Sequence, residues 1–440
     1  MVLSNKTKVY LAIYALCAML LMGRMALSSF EMLSSDPIRL APEEATKLEA
    51  LQNDHPTHQT GGAPQLTQQL VTVNMSLAHD CLQQTTPNMT LTYPRDAWGH
   101  YREIHRAMYN WSQHHPSHRI HRAASFKGPW IENHWINYFE AKLENANELS
   151  DVFGPFVPIL IPWTDRWVKG PPKSNYPKAM VEALLQVLRP DVAYITLCQN
   201  ADGLPGRMKE LHMSKIPNIL VFSAGGYGHV PIPLLKQPEY PIENTISMTN
   251  RSYLLSYVGS ITKSPQKLRP RLDMYLNRLL NNVTTQANAA AITSDASEKI
   301  AKKYRYYKGN EWRTIMAQSK FSLAPRGFGR TSYHVVECLH MGLIPIQVYV
   351  DIPWVPYRDL FPKLGYHVKI GLQEIDQLVK DLLAMPDSEI QKREDLIRHY
   401  RKSHFEVPGI MDQIQNFMLY GEAKSDLRCE PLPSSPRGDR

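Results

Sequence analysis

The stretch SKFSLAPRGFGRTSYHVVECLHMGLIPIQVYV, residues 319–350 of the 440-residue chain, carries its clearest secondary-structure pattern. Residues 320–324 are mostly apolar and end before a proline, as a buried strand would. Apolar side chains recur at helical spacing over residues 331–341, and Gly342 follows, where a helix end favours positive φ. Residues 344–350 are almost wholly apolar and rich in β-branched side chains. The stretch therefore predicts a strand, a loop, a helix and a second strand.

The loop combines positive charge with glycines. It reads Pro-Arg-Gly-Phe-Gly-Arg over residues 325–330, and Thr331 or Ser332 is placed to cap the following helix. A helix N-terminus with arginines beside it binds anions. Glu337, further along the helix, offers a carboxylate to the two hydroxyls of a ribose. Neither a Walker loop nor a complete dinucleotide fingerprint is present, so the loop indicates another kind of nucleotide site, or a plain βαβ unit whose arginines face solvent.

These residues resemble the signature of the exostosin-like glycosyltransferases, family 47. The matching positions are Pro325-Arg326-Gly327, Ser332, Glu337-Cys338-Leu339 and Gly342-Leu343-Ile344-Pro345-Ile346. His334 stands where the family usually has Arg, which weakens the transfer of a phosphate-binding role to that position. Ser322 and Leu343 stand where the family often has Cys. Looser similarity covers residues 130–408.

The resemblance implies an α/β fold of the GT-B type, with two Rossmann-like domains facing a cleft. A nucleotide sugar, expected to be UDP-linked, would bind the second domain, and a glycan or glycoprotein acceptor the first, with inversion on transfer. No cofactor or metal is expected, because helix N-termini and basic side chains neutralise the leaving diphosphate in such enzymes, and no Asp-x-Asp triplet occurs. The donor-binding residues it implies are Gly259, Lys263, Arg271, Arg326, Gly327, Ser332 and Glu337.

Strands and helices alternate through the first half of the chain, which predicts a parallel sheet with both faces covered. Strands are expected at residues 156–162, 191–198 and 216–222, with helices at 130–149 and 176–188. Ligands gather at the carboxyl ends of such strands, where polar and glycine-rich loops follow here. An inverting transfer needs a base for the acceptor hydroxyl. Three candidates remain open as the catalytic base, and each could instead be an ordinary turn residue: Asp165, Asp202 and His229.

The N-terminus predicts a membrane anchor. Lys6 and Lys8 precede an apolar run, which gives a cytosolic tail over residues 1–8 and a transmembrane signal-anchor over 9–27. The alternative is a signal peptide cleaved near Ala26-Leu27-Ser28. Residues 28–95 read as a luminal stem. The expected product is a single-pass type II protein of the Golgi membrane with its catalytic part in the lumen. Glycosylation triplets begin at Asn74, Asn88, Asn110, Asn250 and Asn282.

The remaining chain divides into an acceptor-side domain over residues 96–250, a nucleotide-sugar domain over 251–410, and a C-terminal helix with a loose tail over 411–440. A strand is expected at residues 253–260 and a weak one at 289–293, with helices at 372–384 and 388–404. The net charge of +8 is spread along the chain without a run of basic and aromatic residues, which argues against a nucleic-acid partner. A homo- or hetero-oligomer is compatible with these features.

The cysteines fit no zinc site. Cys81 with Cys429 is a candidate disulfide, whereas Cys198 and Cys338 are expected to be buried free thiols. A histidine cluster over residues 114–121 has no carboxylate or cysteine at fixed spacing and reads as a solvated face rather than a metal site.

The function expected is that of a hexosyl- or pentosyltransferase. Two other classes remain as alternatives: a catalytically inactive relative acting as a partner subunit or glycan-binding protein, and a secreted nucleotide-binding hydrolase. The choice of sugar, acceptor and linkage lies in loop shapes that the sequence does not specify.

Overall fold

The computed structural model describes residues 73–111, 130–169, 175–235, 244, 246–262, 264–289 and 303–436. All of them fall in one compact unit, Val71–Arg440. The predicted anchor, most of the predicted stem, the histidine cluster and Lys263 lie outside the described residues. Within the described part of the chain, no helix is long and apolar enough to cross a membrane.

The first half is built on a four-stranded parallel sheet of order β1-β2-β3-β4. Every residue of its strands is buried, as expected for a parallel sheet with covered faces. In register, Tyr194 pairs with Ile219 and Cys198 with Ser223. The strands are β1 (Val157–Pro158), β2 (Tyr194–Cys198), β3 (Ile219–Ser223) and β4 (Val230–Pro231).

The described residues of this half form six α-helices. Helix α3 ends earlier than the predicted helix at residues 130–149, and the short α4 follows it. The predicted strand at 156–162 is also shorter, because the chain folds back where the Ile161 amide donates to the Ile159 carbonyl. The helices are α1 (Ser76–Leu82), α2 (Ala97–Trp111), α3 (Ile131–Leu143), α4 (Ser150–Phe153), α5 (Trp163–Lys169) and α6 (Lys178–Val187).

The second half is built on a five-stranded parallel sheet of order β6-β5-β7-β8-β9. Its edge strands β6 and β9 were not predicted, because their residues are half-exposed or exposed and do not form apolar runs. The predicted weak strand at 289–293 begins on a residue that ends a helix, and its other residues lie outside the described part. The strands are β5 (Tyr253–Val258), β6 (Tyr304–Tyr307), β7 (Ser319–Pro325), β8 (Ile344–Tyr349) and β9 (Tyr366–Lys369).

The strand–loop–helix–strand prediction for residues 319–350 is confirmed as β7, α9 and β8. The Ser332 hydroxyl caps α9 by accepting the His334 amide at 3.3 Å. Gly342 follows the helix at φ 70°, a backbone conformation that favours glycine. The helices of this half are α7 (Leu268–Ala289), α8 (Trp312–Ala317), α9 (Tyr333–His340), α10 (Phe361–Leu364), α11 (Leu372–Ala384), α12 (Asp387–Tyr400) and α13 (Val407–Tyr420).

The C-terminal part returns to the first half of the unit. Helix α13 places the ring of Phe417 5.7 Å from that of Phe222 on β3, and Asp412 accepts a hydrogen bond from Tyr138 at 2.6 Å. The segment after α13 was predicted to be a loose tail, and for residues 425–436 that prediction was wrong. A disulfide between Cys81 and Cys429, a hydrogen bond from the Glu430 amide to the His229 carbonyl and one from the Leu432 amide to the Gln84 side chain hold this segment in place.

The cysteine pattern agrees with the remaining expectation, since Cys198 and Cys338 are free and buried. The asparagines of three predicted glycosylation triplets, Asn74, Asn88 and Asn250, are exposed.

Candidate active site

The carboxyl ends of the two sheets meet each other. Ser223, the last residue of β3, accepts a hydrogen bond from the Trp354 indole at 3.0 Å. Gln199, directly after β2, donates to the Tyr333 hydroxyl at the start of α9 at 3.1 Å. Ligands of parallel α/β sheets bind at this edge. The site predicted from the sequence therefore lies where the two halves of the unit touch.

Two glycine loops form the centre of this contact. The Arg330 amide donates to the Gly225 carbonyl at 3.1 Å. A Cβ atom at Gly226, which has φ 109°, would lie 2.6 Å from the Cβ of Arg330, and one at Gly329 would lie 2.1 Å from the Gly225 oxygen. Side chains at these positions would force the loops apart. The glycines of the two loops thus let the two backbones approach each other closely.

The loop at residues 325–330, called the signature loop below, has two arginines that are buried around one carboxylate. Arg326 and Arg330 are each 1% exposed, and each lies 2.7 Å from an oxygen of Asp351. Arg326 also donates to the carbonyls of Gly329 at 3.0 Å and Phe328 at 3.2 Å. Burial lowers the pKa of Arg326 to about 10, although the attraction of Asp351 opposes the shift. Arg326 thus stabilises the conformation of the loop, and an anion bound beside Arg326 would share its guanidinium group with Asp351.

The neighbouring residues of the loop and helix are also engaged. The Gly327 amide donates to the Thr331 carbonyl at 3.0 Å. Glu337, the candidate ribose ligand, lies with Oε2 2.6 Å from Nδ1 of His334, and its side chain is 20% exposed. The Nε2 atom of His334 is buried and has no hydrogen-bond partner among the described residues. The position that departs from the family pattern therefore contacts the carboxylate assigned to the ribose.

The start of α7, just after the loop that follows β5, supplies a residue that was not among the predicted donor ligands. Arg269 donates to the carbonyls of Ser260 at 3.0 Å, Arg326 at 3.3 Å and Pro325 at 3.3 Å, so it joins this loop to the signature loop. The expected donor ligand Arg271 instead lies along its own helix, with its guanidinium 5.9 Å from the ring centroid of Tyr275. Arg269 is the second residue of α7, and this position at the start of the helix could have indicated that it contacts the loop.

The backbone of the same loop is unusual. Gln266 and Lys267 both lie in the left-handed region, with φ of 49° and 52°, and Gly259 has φ 128°. Non-glycine residues in this region are strained, and such strain concentrates at functional sites. The Gly259 amide donates to the Tyr307 carbonyl at 3.0 Å, which ties the loop to β6.

Asp165 and Asp202 lie at the carboxyl edge of the first sheet. His229 directly precedes β4 and lies beside Val221 in the middle of β3, so the expectation that it lies at this edge was wrong. All three candidate bases are buried. Asp165, which was expected to end a strand, lies in the first turn of α5 and accepts from the Trp130 indole at 2.9 Å. The backbone amide of Asp202 donates to Asn200 Oδ1 at 3.0 Å. His229 accepts the Val221 amide on Nδ1 at 3.1 Å, so the neutral ring carries its proton on Nε2. Burial lowers the pKa of His229 to about 4.

Glu132 is a further buried carboxyl group at this edge. It accepts hydrogen bonds from the Gln199 amide at 2.7 Å, the Thr164 amide at 3.0 Å and the Thr164 hydroxyl at 2.9 Å. Burial raises the pKa of Glu132 to about 8. A carboxyl group perturbed in this way at a sheet edge is a candidate for function. In the sequence Glu132 looks like any solvated residue near the start of a helix, so its burial at this edge could not be predicted.

No protein-family model and no curated protein sequence matches the chain. Among solved structures, a glycosyltransferase from Rickettsia africae is 14% identical with a TM-score of 0.28, covering 47% of this chain and 58% of that one. HepE of Anabaena in complex with UDP is 10% identical with a TM-score of 0.30, covering 57% and 69%. A TarM mutant from S. aureus, in complex with fondaparinux, α-GlcNAc-glycerol and UDP, is 12% identical with a TM-score of 0.28, covering 57% and 49%.

These similarities are too low to assign a family or an activity. The chain spans less than two thirds of the first of these proteins. The α/β architecture of two parallel, Rossmann-like sheets follows directly from the strand order and pairing.

Proposed function

We propose that the protein is a glycosyltransferase of the exostosin type, which transfers a sugar from a UDP-linked donor to a glycan or glycoprotein acceptor with inversion. One observation carries the proposal. The loop that bears the exostosin-like signature lies between β7 and α9, at the edge where the carboxyl ends of two parallel sheets meet. This is the edge at which nucleotides bind in such sheets.

The charges at this edge suit a nucleoside diphosphate. Arg269, Arg326 and Arg330 place three guanidinium groups around the signature loop, and α9 begins directly after it. Guanidinium groups and helix N-termini stabilise phosphate oxygens without a metal ion. In this proposal Glu337 holds the ribose, Ser332 and Arg326 contact the diphosphate, and Gly259, Lys263 and Gly327 complete the donor side, with Arg269 in place of Arg271. No metal or cofactor takes part.

The acceptor belongs on the first sheet. A base there must keep a lone pair for the proton of the acceptor hydroxyl. Asp165 and Asp202 are carboxylates at the carboxyl edge and meet this requirement chemically. His229 meets it less well, because its Nδ1 lone pair already accepts the Val221 amide and its pKa is lowered to about 4. We therefore rank the two aspartates ahead of His229 as the base.

The proposed location is the Golgi membrane, with a single span near the N-terminus and the catalytic part in the lumen. It rests on the basic residues before the apolar run at 9–27 and on the exposed glycosylation triplets. Sequencing of the mature N-terminus tests it. A mature chain that begins near Ser29 and is freely secreted would contradict the anchor.

A second candidate function is that of an inactive partner subunit. It is favoured by His334, which replaces the usual arginine and binds the carboxylate of Glu337. Incubating the purified full-length protein with a panel of nucleotide sugars separates the two candidates. Release of UDP from one donor, increased by a glycan acceptor, supports the transferase. Binding of UDP without turnover of any donor supports the inactive subunit.

A further inference from the structure

The guanidinium of Arg330 is enclosed although it belongs to the signature loop. Its Nε donates to Asp351 at 2.7 Å and its Nη1 to the Gly226 carbonyl at 2.8 Å. Asp351 lies equally close to Arg326, so the two guanidinium groups share this carboxylate. A buried cation with a shared counter-charge attracts a further anion.

The other contacts of Arg330 come from the end of the chain. Its Nη2 donates to the Ser435 carbonyl at 2.9 Å, and its Nη1 also donates to the Pro436 carbonyl at 3.0 Å. Two oxygen acceptors on the two terminal nitrogens reproduce the way a phosphoryl group binds a guanidinium. Carbonyl oxygens carry no net charge, so a phosphate bound in the same place would interact more strongly.

The last three residues of the segment that supplies these carbonyls are less buried than the residue before them: Pro433 is buried, whereas Ser434 is exposed and Ser435 and Pro436 are half-buried. Residues 430–436 read Glu-Pro-Leu-Pro-Ser-Ser-Pro, and the three prolines lack amide donors. Amides of the segment bond to the His229 carbonyl at 2.7 Å and to Gln84 at 3.1 Å. The Ser435 hydroxyl is buried without a hydrogen-bond partner among the described residues. The preceding residue, Cys429, is tied to the first half by its disulfide, so the segment would stay attached after leaving Arg330.

We propose that Arg330 binds the diphosphate of the donor, and that the Ser435 and Pro436 carbonyls occupy its guanidinium in the free protein. Donor binding then displaces residues 434–436 from Arg330 while Cys429 stays in place. The identity of the anion as a nucleoside diphosphate rests on the proposed function. The presence of an anion site at Arg330 rests on the contacts alone.

Two shortened chains test this competition. Removal of residues 434–440 deletes both carbonyl acceptors, whereas removal of residues 437–440 leaves them in place and serves as the matched control. UDP and inorganic pyrophosphate are titrated into both and into the intact protein by calorimetry, and each protein is checked by thermal melting. We expect the 434–440 deletion to bind both ligands about tenfold or more tightly than the intact protein, roughly 1.4 kcal/mol. The control should match the intact protein.

A substitution in the chain that lacks residues 434–440 tests whether the gain in affinity comes from Arg330. Arg330→Lys keeps the positive charge but loses the two-nitrogen fork. It should remove most of the tenfold gain, and a cooperative thermal melt checks that the variant is folded. Arg189→Lys, at a surface pair with Asp96, is the matched control and should keep the gain.

The outcomes separate the inference from the proposed function. Equal UDP affinity in all three chains, or weaker binding by the 434–440 deletion, overturns the inference and leaves nucleotide binding intact. Tighter binding of pyrophosphate by the deletion, without UDP binding in any chain, supports the anion site and contradicts the proposed donor. If no chain binds either ligand, both proposals are overturned.

Discussion

Glu337→Gln tests the ribose assignment directly. The Glu337 carboxylate contacts His334 at 2.6 Å, and its side chain remains 20% exposed, so it lies at the surface of the signature helix rather than in the core. The substitution preserves size and removes the charge. If the carboxylate accepts the ribose hydroxyls, the lost charge-assisted hydrogen bonds should cost about 1.5–3 kcal/mol of binding. That corresponds to a loss of roughly ten- to hundredfold in affinity for UDP.

The assay is a titration of UDP into the wild type and the variant, with a thermal melt of each. A matched control is Glu182→Gln on α6, whose carboxylate forms an exposed i,i+4 pair with Lys178 and should leave both measurements unchanged. His334→Gln is the informative second variant. If Glu337 serves mainly to orient His334, the two substitutions should weaken UDP binding alike. Unchanged UDP affinity in a well-folded Glu337→Gln protein would refute the ribose assignment.

Three further predictions follow from the charged and buried groups. Sugar transfer should survive EDTA, because guanidinium groups surround the proposed diphosphate position; loss of activity with full recovery on adding manganese would contradict the metal-free mechanism. Glu394→Gln should lower the free energy of unfolding by about 3–5 kcal/mol in denaturant titrations, because Glu394 and Arg251 form an ion pair in which both side chains are 1% exposed. A change below about 1 kcal/mol would show that this ion pair contributes little to stability. His229 has a pKa of about 4 in the folded protein against an ordinary value of 6.5, so on acidification the unfolded chain takes up the proton first and stability should fall as pH drops from 7 to 4. Relative to the His229→Gln variant, the wild type should lose roughly 3 kcal/mol of unfolding free energy over that range. A constant difference between the two proteins would show that His229 titrates normally.

The sequence by itself determined the local architecture of the signature region. Strand β7, helix α9 and strand β8 each have a continuous periodic pattern, and these patterns reflect interactions among near neighbours. The cap at Ser332 and the left-handed Gly342 are also local, since each depends on the backbone within a few residues. The alternation of strands and helices in the first half likewise predicted its parallel sheet.

Only the tertiary structure decided what the charged residues of that region contact. Arg330 bonds to Gly226 and to Ser435, which lie 104 and 105 residues away in the chain. Arg269 rather than Arg271 reaches the signature loop, because the start of α7 sets which side chain points toward it. The sequence shows which residues are cations, but their partners come from distant segments that only folding brings together. The loop arginines were therefore predicted as open anion ligands, whereas the fold encloses them with Asp351 and the C-terminal segment.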